Sequence, residues 1–178
     1  MKKSILLPIF TIALAALILF GAAAGLNGIA AKNARQEHLR ILRTLLPGSK
    51  EFVVEPYAGE DANIRSVHKG ETGFVIETIT AGYAGDITML IGVSNEGAVT
   101  GLVVRELSET WFLGANALTD HAFLAQYRNT SGEAEVGVNV DAITGATVTS
   151  KAITRSVNSA VAFVTGADTG SGATSWGG

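Results

Sequence analysis

The sequence predicts an α+β protein: a single N-terminal transmembrane helix, then one compact domain with a mainly antiparallel sheet and packed helices. Three observations carry this. An uncharged run, mostly Ile, Leu, Ala and Phe, extends from Ser4 to Ala31. Between Glu51 and Leu107, short apolar stretches of strand type alternate with glycine-containing turns. Beyond Thr147, residues Ile153, Val157, Ala160, Val161 and Val164 recur at helical spacing. The expected parts are residues 1–31 as a cytoplasmic end and membrane anchor, 32–50 as a juxtamembrane helix, 51–165 as the folded domain, and 166–178 as a flexible Gly/Ser-rich tail.

The totals bound the function. A length of 178 residues suits one domain with an appendage. A net charge of −3 offers no basic field for nucleic acid. The absence of cysteine excludes disulfides, iron–sulfur ligation and thiol catalysis. The 21 glycines follow no collagen-like period and point to turns and close backbone approaches.

The Ser4–Ala31 run is long enough to cross a bilayer, which takes about 20 apolar residues. Pro8 lies near its start, where a helix tolerates proline. A cleaved signal peptide is the alternative, favoured by Ala22-Ala23-Ala24, but its apolar region is usually only about 7–15 residues. An uncleaved anchor is therefore preferred. Lys2 and Lys3 on one side face Lys32, Arg35, Arg40 and Arg43 on the other, so the positive-inside rule does not orient it. From Asn33 to Leu46 a helix is expected with Leu39, Leu42, Leu45 and Leu46 on one face, ended by Pro47-Gly48.

The β region begins with a short strand at Phe52-Val53-Val54. His68 is placed in a polar connection, with no second ligand at metal-binding spacing beside it. Phe74 to Thr80 alternates as a strand, and the nearly continuous apolar run Ile87 to Val93 reads as a central one. Ser94-Asn95-Glu96-Gly97 is a hairpin turn, returning as the strand Val99–Glu106. Ser108 to Asn116 follows, with adjacent aromatics at Trp111 and Phe112 suited either to stacking on a flat ligand or to a hydrophobic lid. Thr119 or Asp120 then caps a short helix running to Tyr127, with His121 in its first turn at the surface. Ala134 to Val140 is expected to be a strand.

That strand leads into Asp141-Ala142-Ile143-Thr144-Gly145-Ala146-Thr147-Val148-Thr149-Ser150, where small residues and hydroxyls crowd before a helix. Gly145 permits a tight turn, and Thr144, Thr147, Thr149 and Ser150 are candidate caps. Free amides and the dipole at a helix start suit an anion, most simply a phosphate. On residue chemistry alone, the simplest reading is a capped helix start with no ligand.

Asp141-x-x-Thr144-Gly145-Ala146-Thr147 resembles the flavinylation motif of the FMN-binding domain family. Gly82-Tyr83-x-Gly85-x-Ile87 followed by a hairpin is similar to the same family, as is the helix ending in Leu46-Pro47-Gly48. Glu109, Thr110, Leu113 and Gly114 match its Glu-Thr-x-Gly-Leu-Gly loop, with Phe112 in place of the usual glycine. The resemblance spans roughly Thr72 to Val164 and is closest to the G subunit of the Rnf complex, with the C subunit of the sodium-pumping NADH:quinone reductase related.

The resemblance implies covalent FMN, joined by a flavin transferase through its phosphate to the hydroxyl of Thr147. The amides around Gly145 to Thr149 would hold that phosphate, with Asp141, Thr144, Gly145, Ala146, Val148 and Thr149 as the cofactor-binding residues of the motif. Glu109, Thr110, Trp111, Leu113 and Gly114 would lie near the ring, and the domain would face the extracytoplasmic side of the cell's inner membrane. The chain would then carry electrons within an ion-translocating ferredoxin:NAD oxidoreductase, beside other membrane, iron–sulfur and flavin subunits. It would be no catalyst alone, because it has no Gly-x-Gly-x-x-Gly fingerprint for NAD and no nucleophile–base arrangement. The alternatives are a stand-alone anchored flavoprotein and a flavin-free anchored binding or scaffold module. A second copy of the motif, Asp168 to Thr174, lies in the Gly-rich tail with no amphipathic helix after it, so Thr147 is the preferred acceptor.

Overall fold

The computed structural model describes residues 3–107, 120–131 and 133–167, with the side chains of 3–13, 18–19, 22–27 and 106–107 outside the description. The first helix, α1, runs Lys3–Leu45. Strands β1 (Val53–Glu55), β2 (Ile64–Lys69), β3 (Gly73–Ala81), β4 (Asp86–Ser94) and β5 (Val99–Leu107) follow, then helices α2 (His121–Ala125) and α3 (Thr147–Thr165). The chain divides into two units, one ending at Ile41 and the other beginning at Leu42.

In the first unit, the described part of α1 exposes Leu14, Leu17, Phe20 and Ile29. Among the described residues, no helix is long and apolar enough to cross a membrane.

In the second unit the sheet is an antiparallel meander in the order β1-β2-β3-β4-β5. Short turns enforce this, since antiparallel neighbours need only a hairpin between them. The β3–β4 turn closes with Gly82 N–H donating to the Gly85 carbonyl at 2.8 Å, and the β4–β5 turn with Gly97 N–H to Ser94 at 2.9 Å. β4 is an inner strand whose apolar run is buried on both faces, as expected from its composition.

One face of the sheet carries the main core. Ile76, Met89, Ile91 and Val93 pack there with Ile153, Val157, Ala160 and Val161 of α3, the residues whose spacing predicted that helix. The opposite face holds the last turn of α1, with Leu42, Leu45 and Leu46 buried. Gly92 makes this approach feasible: a Cβ there would sit 2.3 Å from the Leu45 carbonyl oxygen. Thr100 Oγ1 donates to that same carbonyl, satisfying an orphan acceptor of the helix end.

Two expectations about strand positions need correction. His68 does not lie in a connection: it is a buried residue of β2, paired with Val54 and Val75. Residues Ala134 to Val140 do not form a strand but a turn with an isolated bridge, Val136 to Val140. Gly137 at φ 87° breaks the extended path there. The Asn139 side chain also accepts from Glu135 N–H (2.7 Å) and donates to the Glu133 carbonyl (3.0 Å), competing locally with sheet pairing.

Candidate functional site

α3 runs antiparallel to β3. Thr80 Oγ1 donates to the Ala152 carbonyl (3.2 Å) and meets Ser156 Oγ at 2.9 Å, while Phe74 stacks edge-on with Phe163, centroids 5.6 Å apart. The start of α3 therefore lies at the sheet end where β3 turns into β4. Arg155 ties the two together by donating to the Ala81 carbonyl at 3.1 Å. Leu107 pairs with Ile87 at that same end, so the chain leaves β5 there as well.

The motif reaches this end through a turn. Ala146 N–H donates to the Ile143 carbonyl at 2.9 Å, and Gly145 stands at φ 81°, where a β-carbon would be strained. The first helical bond is Ser150 N–H to the Ala146 carbonyl, 2.9 Å. The amides of Thr147, Val148 and Thr149 precede it and have no intrahelical acceptor.

The predicted side-chain caps do not form. The N-cap is Ala146, which has no acceptor, and the helix start carries no side-chain cap hydrogen bond. Ser150 turns inward instead, donating to the Ala146 carbonyl (2.9 Å) and accepting from Ile143 N–H (3.3 Å). Thr149 is buried as well. Asp141, Thr144, Gly145 and Thr147 are exposed, Val148 is half-buried, and Ala146 is buried. The outcome is a bare helix start: aligned amides, a positive dipole end, and the Thr147 hydroxyl at its first exposed position. That donor set fits a phosphate monoester or diester. Glu109, Thr110, Trp111, Leu113 and Gly114, together with Phe112 and the second motif copy at Thr174, lie outside the described residues.

Residues that sequence spacing did not single out hold the motif in place. The Gln126 side chain accepts from Asp141 N–H at 2.9 Å and donates to the Asp141 carbonyl at 3.5 Å. Asn158 does the same for Ala134, with both bonds at 2.9 Å. The loop entering the motif is thus clamped at both ends by amide side chains. Asp120 caps α2 through Ala122 N–H (2.9 Å) and Phe123 N–H (3.1 Å), as the sequence suggested. Beneath the motif, Thr154 Oγ1 donates to the Ser150 carbonyl at 2.9 Å, so the fully buried Tyr127 hydroxyl is the donor in its 2.7 Å bond to Thr154. Burial pushes the Tyr127 phenol up to about 12, against the opposing pull of the Thr154 bond.

Residues 82–162 match the FMN-binding domain family. The G subunit of the Na(+)-translocating ferredoxin:NAD(+) oxidoreductase complex of Acetobacterium woodii is 34% identical over 121 residues, covering 62% of this chain and 55% of that protein. The G subunit of the proton-translocating ferredoxin:NAD(+) oxidoreductase complex of Clostridium ljungdahlii is 37% identical over 99 residues, covering 52% and 53%. The chain thus spans just over half the length of these two relatives. The G subunit of the ion-translocating oxidoreductase complex of Methanosarcina acetivorans is 31% identical over 145 residues, which are 72% of this chain and 76% of that protein. With the matched region running from the β3–β4 turn almost to the end of α3, the chain belongs to the FMN-binding domain family, beside the G subunits of the ion-translocating oxidoreductases.

Proposed function

We propose that this chain is an electron-transfer subunit of a membrane-bound, ion-translocating ferredoxin:NAD oxidoreductase, carrying FMN covalently through a phosphoester to Thr147. The observation that carries the reading is the bare start of α3, with an exposed Thr147 as its first residue and no side-chain cap. A protein without a ligand there gains about 1 kcal/mol from a Ser, Thr, Asp or Asn N-cap, and this one has alanine. The amides of Thr147, Val148 and Thr149 would bind the phosphate oxygens, and Gly145, at φ 81°, makes the turn that leads into them. FMN, when bound, supplies the electron-carrying chemistry, while the protein supplies position and electrostatics.

The membrane anchor rests on the uncharged run Ser4–Ala31 and on the exposed Leu14, Leu17, Phe20 and Ile29 of α1. With the anchor in the inner membrane, the folded domain would stand on the extracytoplasmic side, where a covalent link keeps a cofactor that could not readily be replaced. A flavin transferase is the maturation partner on this reading, and the ion path lies in other subunits. Membranes from cells lacking this chain should lose ferredoxin-dependent NAD reduction and regain it with the intact chain but not with Thr147→Ala. Full activity with Thr147→Ala would contradict the proposal. Retained ferredoxin:NAD activity without the chain, together with covalent flavin on it, would favour a stand-alone anchored flavoprotein.

A further inference from the structure

Between Val140 and α3, no residue of the segment Asp141 to Ala146 lies in a helix or strand, and Asp141, Ala142, Thr144 and Gly145 are exposed. A segment of this kind is ordered by what ties it down. At its exit, Ser150 Oγ accepts from Ile143 N–H and donates to the Ala146 carbonyl. At its entry stands Gln126, half-buried at the end of α2. Its side-chain oxygen accepts from Asp141 N–H at 2.9 Å, and its NH2 donates to the Asp141 carbonyl at 3.5 Å.

The next residue, Tyr127, reaches beneath the same segment. Its hydroxyl donates to Thr154, which donates to the Ser150 carbonyl. The end of α2 therefore grips the segment at its entry through Gln126 and at its exit through Thr154 and Ser150. Stability is a poor reason for the Gln126 bonds. Asp141 is exposed, and water would serve its amide and carbonyl nearly as well, so the net gain is small. What the bonds supply is order. A partner that must fix one freed backbone residue as it docks loses about tenfold in the process.

Resting on the FMN reading above, we propose that Gln126 is a positioning residue for flavin transfer to Thr147, holding the segment in the shape that the transferase engages. The transfer forms a bond from Thr147 Oγ to the flavin-side phosphorus of a flavin dinucleotide. The pyrophosphate P–O bond breaks, the nucleoside monophosphate leaves with the electron pair, and the hydroxyl proton passes to a base on the transferase. Gln126 bonds the backbone of Asp141 and acts through it on where Thr147 stands. In-line displacement needs the attacking and leaving oxygens aligned, so a loosened acceptor slows it.

The test follows flavin uptake by the full chain from a purified flavin transferase and excess flavin adenine dinucleotide, read by intact mass. Four chains are compared. Beside the unsubstituted protein stand Gln126→Met, which keeps side-chain length without the hydrogen bonds, and Gln126→Glu, which keeps the acceptor for Asp141 N–H. Tyr57→Phe is the control, losing one hydrogen bond, from Asp61 N–H, near Phe163 at the far end of α3. Initial uptake should be about tenfold slower in Gln126→Met, faster in Gln126→Glu than in Gln126→Met, and unchanged in Tyr57→Phe, with equal final loading in all four. Amide hydrogen exchange should quicken across 141–146 in Gln126→Met while the α3 amides stay protected. Gln126→Ala takes its place if the α3 amides lose protection too. Uptake at the unsubstituted rate without the Gln126 bonds, or equal slowing in Tyr57→Phe, would overturn this inference and leave the FMN reading standing. Absence of covalent flavin from the unsubstituted protein would overturn both.

Discussion

The two ends of α3 are built on opposite plans. At the C-terminal end, Gly166 takes φ 70° and its N–H bonds the Ala162 carbonyl at 2.8 Å, a standard left-handed cap. Phe163 there is held edge-on by Tyr57 and Phe74, with centroids 5.9 and 5.6 Å away. At the N-terminal end the cap residue is alanine with no side-chain cap bond, Thr147 is exposed, and a backbone turn through Gly145 leads into the helix. One end closes on a left-handed glycine, and the other forgoes a side-chain cap. Local rules are broken most readily where a site needs the freed groups, and the difference separates the structural end of the helix from the functional one.

The largest expected effect lies between the two ends. Ile153 is fully buried in the core under α3, so Ile153→Ala should cost about 2–5 kcal/mol in denaturant unfolding, from lost burial plus a cavity. A cost below about 1 kcal/mol would mean that α3 is not packed on the sheet as described.

The glycines flanking α3 separate stability from function. Gly145 at φ 81° and Gly166 at φ 70° each exclude a β-carbon without strain, so each change to alanine should cost about 1–2 kcal/mol. The stability losses should be alike, while flavin incorporation falls only with Gly145→Ala. Equal effects on incorporation would erase the functional distinction between the ends.

A smaller effect is expected at Tyr127. Tyr127→Phe removes one buried hydrogen bond, worth about 0.5–1.5 kcal/mol. Its phenol is raised in the folded state from 10.0 to about 12, so the folded protein holds that proton more tightly than the unfolded chain. This contribution is complete below about pH 10 and lost as pH rises towards about 12. Unfolding titrations should show an alkaline loss of stability that is reduced in Tyr127→Phe.

What was legible in the sequence follows from which signals are local. The apolar run of β4 and the period of α3 are properties of neighbouring residues, and both elements stand where composition put them. The motif was correctly set at a helix start because Gly145 and the small residues around it mark a turn. β2 was missed because Ile64-Arg65-Ser66-Val67-His68-Lys69 mixes polar and apolar residues, and a bulge between Ile64 and Ser66 spoils its alternation. Ala134 to Val140 looked like a strand by composition, yet Gly137 and the Asn139 bonds, which depend on backbone geometry, made it a turn. The capping hydroxyls were present, but Thr149 and Ser150 face the core. The clamps from Gln126 to Asp141 and from Asn158 to Ala134 join residues 15 and 24 positions apart, a pairing that no spacing rule encodes.

The functional reading stands or falls on whether the bare end of α3 carries flavin on Thr147. In-gel flavin fluorescence of the denatured, exported protein made with a flavin transferase decides this, followed by peptide mass, for the unsubstituted chain, Thr147→Ala and Thr174→Ala. Covalent fluorescence is expected in the unsubstituted chain and in Thr174→Ala, with complete loss in Thr147→Ala and an FMN mass addition on the peptide containing Thr147. Fluorescence that survives Thr147→Ala, or none in the unsubstituted chain, would refute attachment at this helix start.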